Sequence, residues 1–214
     1  MLGNAEKQTP AYVLGLGVHG LGIARALGRA GVPVVGLHTG GREEIGRFSR
    51  YVTAVACASE SDLWGKLAGL SQGRADKPVL FATSDDYVAF ILDRHADIGK
   101  RFVHVHGAEA ATRCALDKAR VQDRLEGADL GLPPACLPGR LPDLPALEQA
   151  LGAMAPPYII KPARSRSAHV VGRKNIVTPR IEDVTAFCRK RWNGRDGIVI
   201  QSIIPHNPDQ AYSV

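Results

Sequence analysis

Between residues 11 and 106, short β-rich runs alternate with helix-like segments, and this alternation constrains the fold more than any other feature of the chain. Residues 12–14 read as a buried strand, and residues 20–30 as a helix closed by Gly31. Residues 33–37 and 52–56 give two further strands, with a helix over 61–70 capped by Ser61. Residues 78–82 form the next strand, Ser84 or Asp85 caps a helix through residue 97, and residues 102–106 close the series. Strands separated by helices predict an open, Rossmann-like parallel α/β sheet, whose ligands gather at the carboxyl ends of the strands.

From residue 108 the texture changes. A charged helical stretch runs to Gly131 and Pro133-Pro134, and a Pro- and Leu-rich segment follows. A short helix is expected at 146–151, a strand at 158–161 ending in Lys161, strands at 169–173 and 197–204, and a helix at 181–191. The organisation read from this pattern is a mobile tail (1–9), an α/β domain (10–115) and a second, incomplete domain (116–214). The end at Tyr212-Ser213-Val214 reads as the opening of another strand, as in a truncated domain.

Composition narrows the function classes. The chain has 214 residues, 45% hydrophobic and 22% charged, as in ordinary soluble proteins. No apolar run is long enough to span a membrane, and the polar N-terminus lacks a secretory h-region. Cys57, Cys114, Cys136 and Cys188 are too far apart for a C-x-x-C site and read as buried thiols of a cytoplasmic protein. The net charge is +6, but the basic residues are scattered and aromatics make up only 6%, so no nucleic-acid platform is visible. Small anionic ligands such as phosphates fit this balance better.

The segment Gly15 to Gly22, GLGVHGLG, fits G-x-G-x-x-G directly after a strand. An NAD site also needs a carboxylate at the end of the second strand, and that strand ends Leu37-His38-Thr39-Gly40-Gly41-Arg42. Arg42 keeps an NADP reading open. The other reading is a tight turn whose Gly17, His19 and Gly20 face a substrate. Ser84 and Asp85 follow a strand, where they suit a helix cap, a substrate-facing loop, or both. His104 and His106 share one strand face but lack further metal ligands.

Lys161 is harder to place on an inert surface. A lysine ending an apolar strand must be paired or face a cleft, because burying an unpaired ammonium is costly. It is followed by Arg164, Ser165, Arg166 and Ser167, a composition suited to phosphate oxygens. Gln201, Ser202, Ile203 and Ile204 end a buried strand before Pro205, where backbone groups can meet a purine edge, and Asp209 lies near enough to take ribose hydroxyls.

The order of these segments resembles the ATP-grasp superfamily: an α/β domain, Leu116-Asp117-Lys118 before a helix, an apolar strand with Lys161-Pro162, then an apolar strand with Gln201. The chain is most similar in pattern to the carboxylate–amine ligases typified by the carbamoyl-phosphate synthase large subunit and D-aspartate ligase. The resemblance implies that Lys118 and Lys161 contact ATP phosphates, that residues 164–167 lie in the loop over the terminal phosphates, and that residues 201–204 read adenine, with Asp209 on the ribose. It implies small-molecule carboxylate and amine substrates joined through an acyl phosphate, leaves a homodimer open, and involves neither nucleic acid nor membrane. Two departures stand out: the phosphate loop has no glycine, and Ser202 replaces a usual glutamate. The magnesium ligands of such enzymes would lie beyond Val214, so this stretch alone is expected to bind ATP weakly and to catalyse nothing. The rival functions are an NADP-dependent oxidoreductase and a non-catalytic nucleotide-binding module.

Overall fold

The computed structural model describes residues 8–41, 43–105, 107–126, 133–172 and 174–204. Arg42, His106, Gly131, Pro205, Asp209 and most of the expected tail lie outside the described residues. The chain divides into two compact units, Met1–Glu109 and Ala110–Val214.

The first unit contains a five-stranded sheet with every pair parallel, in the order β3-β2-β1-β4-β5. Its strands are β1 (Ala11–Leu14), β2 (Val34–His38), β3 (Val52–Ala56), β4 (Val79–Ala82) and β5 (Val103–His104). Alternate residues of β1 face opposite sides, as strand periodicity requires. Val13 packs with Leu16, Ala24 and Val34 beneath helix α1 (Val18–Arg29). Tyr12 and Leu14 join Leu37, Leu63, Leu67, Leu80, Phe90 and Ile98 on the other face. That face is covered by α2 (Glu60–Ser71), α3 (Asp85–Asp93) and α4 (His95–Arg101). The doubly wound α/β sheet expected from the alternation is therefore present, with its order reversing between β1 and β4.

Several local expectations are corrected. The cap of α2 is Ser59, which accepts from Asp62 N at 3.1 Å, and Ser61 lies inside the helix. The helix after β4 breaks at Arg94 into α3 and α4, and β5 is only two residues long.

The charged stretch holds two helices, α5 (Glu109–Ala115) and α6 (Lys118–Leu125), the latter opening at Lys118 as expected. The sheet of the second unit is antiparallel, in the order β6-β9-β7-β8. The strands are β6 (Ala135–Cys136), β7 (Tyr158–Pro162), β8 (Ile176–Thr178) and β9 (Ile198–Ser202). One face packs on α7 (Leu144–Gly152) and α9 (Ile181–Lys190) through Leu147, Leu151, Tyr158, Ile160, Val184, Ile198 and Ile200.

The strand expected at 169–173 is instead helix α8 (Ala168–Val171), stopped by Gly172 in the left-handed conformation at φ 77°. Val170 and Val171 carry β propensity, but a helical turn ending in glycine brings them onto the core, and packing overrides propensity. The third strand beside β7 is β8, which the sequence reading missed.

Candidate nucleotide site

β7 and β9 pair antiparallel with Ile159 opposite Gln201 and Lys161 opposite Val199. Directly opposed residues share a face, so these four side chains lie together on the side away from α7 and α9. Lys161 Nζ donates to Gln201 Oε1 at 2.9 Å. That acceptor is neutral, so the ammonium gains a hydrogen bond without a counter-charge. Burial first, and the positive charge of Lys118 second, hold Lys161 below the usual lysine range. Lys161 and Gln201, both singled out in the sequence, thus meet on one sheet face, and the charge of Lys118 is felt there.

Lys118 reaches this place through α6. Its N–H donates to Ala163 O at 2.9 Å, one residue beyond β7, and Ala163 N–H donates to Gly197 O at 2.8 Å, just before β9. Asp117 caps α6, its Oδ1 accepting from Ala119 N at 3.0 Å and Arg120 N at 3.4 Å. Its Oδ2 accepts from Arg164 Nε at 2.7 Å and pairs with the guanidinium's NH2 group at 2.7 Å. The Asp117 carboxylate is buried, at 5% exposure, and both of its oxygens are occupied.

Arg164 is therefore committed to Asp117, not extended as a free phosphate ligand. Ser165 to Ser167 form a short 3-10 turn that leads into α8, so the segment is structured despite its lack of glycine. Asp117 is the residue that sequence reasoning passed over; the signal was the Asp ahead of a helix, a strong N-cap type.

In the adenine segment, Ser202 N donates to Pro134 O at 3.0 Å and Ile203 N to Pro157 O at 2.8 Å. The Ser202 side chain is buried, and its Oγ has no hydrogen-bond partner among the described residues. Of the two N–H groups that follow β9's Ser202, Ile203's is used, and Ile204's remains uncommitted among the described residues; Ile204 is 58% exposed.

The glycine loop of the first unit presents a different arrangement. Gly15 adopts φ 85°, and a Cβ there would collide with Thr83 Oγ1 and the Tyr87 ring. A Cβ on Gly20 would overlap the Gly15 carbonyl oxygen, so the helix approaches the turn more closely than any side chain allows. Gly17 is the N-cap of α1 and His19 is exposed in the first turn. The N–H of Leu16, inside the loop, donates to the Glu44 carboxylate, and Gly46 N donates to Leu16 O at 2.7 Å.

An internal carboxylate therefore stands where a dinucleotide would bring negative charge, which opposes the NADP reading. The Tyr87 ring lies against Gly15 at the turn, and burial raises its phenol above the usual tyrosine range, opposed by its hydrogen bond to Thr39. Ser84 caps α3, accepting from Tyr87 N at 3.5 Å, and Asp85 lies in that helix's first turn.

The described residues contain no group of three or more His, Cys, Asp or Glu that could hold a metal ion. The expected magnesium therefore has no fitting ligand set among them. No described helix is long and apolar enough to cross a membrane. Cys57, Cys136 and Cys188 are buried free thiols and Cys114 is half-buried.

No protein-family profile and no curated protein matches the chain. Solved structures do match. N5-carboxyaminoimidazole ribonucleotide synthetase from Thermus thermophilus superposes with a TM-score of 0.60 at 16% identity, covering 91% of this chain and 47% of that one. The Staphylococcus aureus N5-carboxyaminoimidazole synthetase complexed with ADP gives 0.63 at 13% identity over 92% and 48%. L-amino acid ligase from Bacillus licheniformis gives 0.62 at 12% identity over 92% and 44%. The chain spans about half the length of these structures. The likeness shows a shared fold with about half of each of these synthetases and ligases.

Proposed function

We propose that this chain is the N-terminal half of an ATP-dependent carboxylate–amine ligase, and that its second unit supplies one wall of the nucleotide site. The observation that carries this reading is the Lys161–Gln201 bond on one sheet face, with the charge of Lys118 acting on Lys161 from the start of α6, within a fold shared with ATP-grasp ligases. An ammonium that is desolvated, pushed down by a second ammonium and bonded among the described residues to an amide oxygen favours an incoming polyanion. Phosphate oxygens would return Lys161 to its ordinary range, and that gain is binding energy.

In this reading ATP phosphorylates a small-molecule carboxylate, and an amine then displaces phosphate to form an amide. The chain's own contribution is electrostatic. Lys118 and Lys161 hold phosphate oxygens and stabilise the negative charge that develops as the phosphoryl group leaves ADP. Asp117 and Arg164 position α6 so that Lys118 stays beside Lys161. Ile204 offers the adenine edge one backbone donor, and Asp209 is proposed for the ribose. We assign no step to magnesium, whose ligands we place outside the described residues. In the first unit, Gly17, His19, Gly20, Ser84 and Asp85 are proposed to face the substrates. We propose a cytoplasmic protein and leave a homodimer open.

The test is ATP-dependent phosphate release by the protein as its reading frame encodes it, screened over carboxylate and amine pairs. Lys161→Ala is expected to lower turnover by at least about tenfold, roughly 1.4 kcal/mol. Unchanged phosphate release in that variant would overturn the assignment.

A further inference from the structure

The carboxyl edge of the first unit's sheet carries the glycine loop; the opposite edge carries a cavity of about 450 Å³. The loop entering β4 and the end of α4 entering β5 both border it, and both strands start at this amino edge because the sheet is parallel. Its volume lies within the range of small-molecule sites.

Four cations and two carboxylates line the cavity. Asp76 is taken by Arg74 at 2.7 Å and by the Thr9 hydroxyl. Asp97 is paired with Lys100 at 3.2 Å. Lys77 Nζ donates to Gly99 O at 2.9 Å, a neutral acceptor that leaves its charge uncompensated. Arg101 has no ion-pair partner among the described residues. Two positive charges therefore remain on one cavity, from two different chain segments.

The dipole of α4 accounts for Lys100 and Arg101 at its C-terminus, but not for Lys77, which arrives from the loop before β4. Trp64, from α2, adds an aromatic wall.

We propose that this cavity is a binding site for a small dianionic oxyanion ligand, a phosphate monoester or a dicarboxylate, separate from the nucleotide site. Lys77 and Arg101 hold its two charges, and Trp64 packs against its carbon skeleton. Nothing in this assignment depends on whether the second unit binds ATP.

The chain has two tryptophans, Trp64 and Trp192, so in a Trp192→Phe background the fluorescence reports Trp64 alone. Titration with ribose 5-phosphate, and separately with succinate, at fixed ionic strength is expected to give a saturable change with at least one. A response to the sugar phosphate alone assigns the phosphate-monoester class; a response to succinate alone assigns dicarboxylates. Arg101→Ala is expected to weaken binding at least about tenfold, whereas Lys161→Ala leaves the titration unmoved. Lys77→Gln provides a second variant at an exposed position, and far-UV circular dichroism confirms that both remain folded. No saturable change with either probe, or titrations of both variants that match the parent, would overturn the proposal.

Discussion

The glycine loop of the first unit and the lysine face of the second both have the chemistry to meet an anion, yet the structure treats them oppositely. In the loop, the Leu16 N–H is already held by Glu44, and Tyr87 closes over Gly15. On the lysine face, the charge of Lys161 meets, among the described residues, an amide oxygen and a neighbouring ammonium. A motif that looks ready for phosphate is less so when one of its loop donors is already satisfied by a carboxylate of the same chain. A less conspicuous lysine becomes the better candidate when its charge is left uncompensated.

The strongest way to break this comparison is Asp117→Ala. It removes the cap of α6 and releases the half-exposed Arg164 guanidinium to solvent, and we expect a loss of about 1–3 kcal/mol in urea denaturation. Asp117→Asn keeps a capping oxygen and should cost only about 1 kcal/mol. If both variants are neutral, the clamp on Lys118 is not real.

Within GLGVHGLG the contrast can be made residue by residue. Gly20→Ala forces a methyl into the Gly15 carbonyl and is expected to cost about 1–3 kcal/mol. Gly22→Ala, two residues on in the same helix, meets nothing within 4 Å and should stabilise by about 0.5–1 kcal/mol. Equal melting shifts for the pair would remove the packing account of the motif.

Glu44→Ala sharpens the comparison from the other side. It leaves the Leu16 N–H without its acceptor, at about 1–3 kcal/mol, and we expect stability to become dependent on added phosphate. The parent should show no stabilisation by NADPH; a clear NADPH-induced shift in melting would restore the dinucleotide reading.

The smallest expected effects concern titration. Lys161 has a folded pKa below its unfolded value of 10.5, so its charged form burdens the folded state in acid and neutral solution. The burden lifts as pH rises from the folded pKa towards 10.5. Lys161→Met should therefore melt no lower than the parent at pH 7, even as turnover falls. A functional charge held against stability would show this signature.

Cys136 and Cys188 behave in the opposite sense: burial pushes them up to about 11 and about 12. Their unfolded forms ionise first, so the second unit should lose stability as pH climbs above the ordinary thiol value of 9.0. In a thiol-reagent assay at neutral pH, Cys114 should react ahead of the three buried cysteines.

The sequence made the parallel sheet legible because its strands and helices carry distinct periods and are separated by glycine and proline. It misled at 169–173, where two valines suggest a strand but Gly172 ends a helical turn. β6 is two residues long, too short for any periodic signal. At the candidate site, Lys161 and Gln201, picked out by their order along the chain, prove to be bonded neighbours. The Asp117–Arg164 pair spans 47 positions and the Leu16–Glu44 bond spans 28. Contacts of that range follow from how elements fold back, which residue type alone does not encode.

The clamp between α6 and the end of β7 also has a mechanical meaning. Lys118 N is pinned to Ala163 O, Asp117 to Arg164, and Ala163 N to Gly197 O, so three chain segments meet in one rivet. The backbone at Lys118 is thereby tied to the chain two residues beyond Lys161, leaving side-chain rotation as the readiest way to change the gap between their ammonium groups. In the proposed function the pair would then act as a caliper, its span set by the clamp rather than by the polyanion it meets.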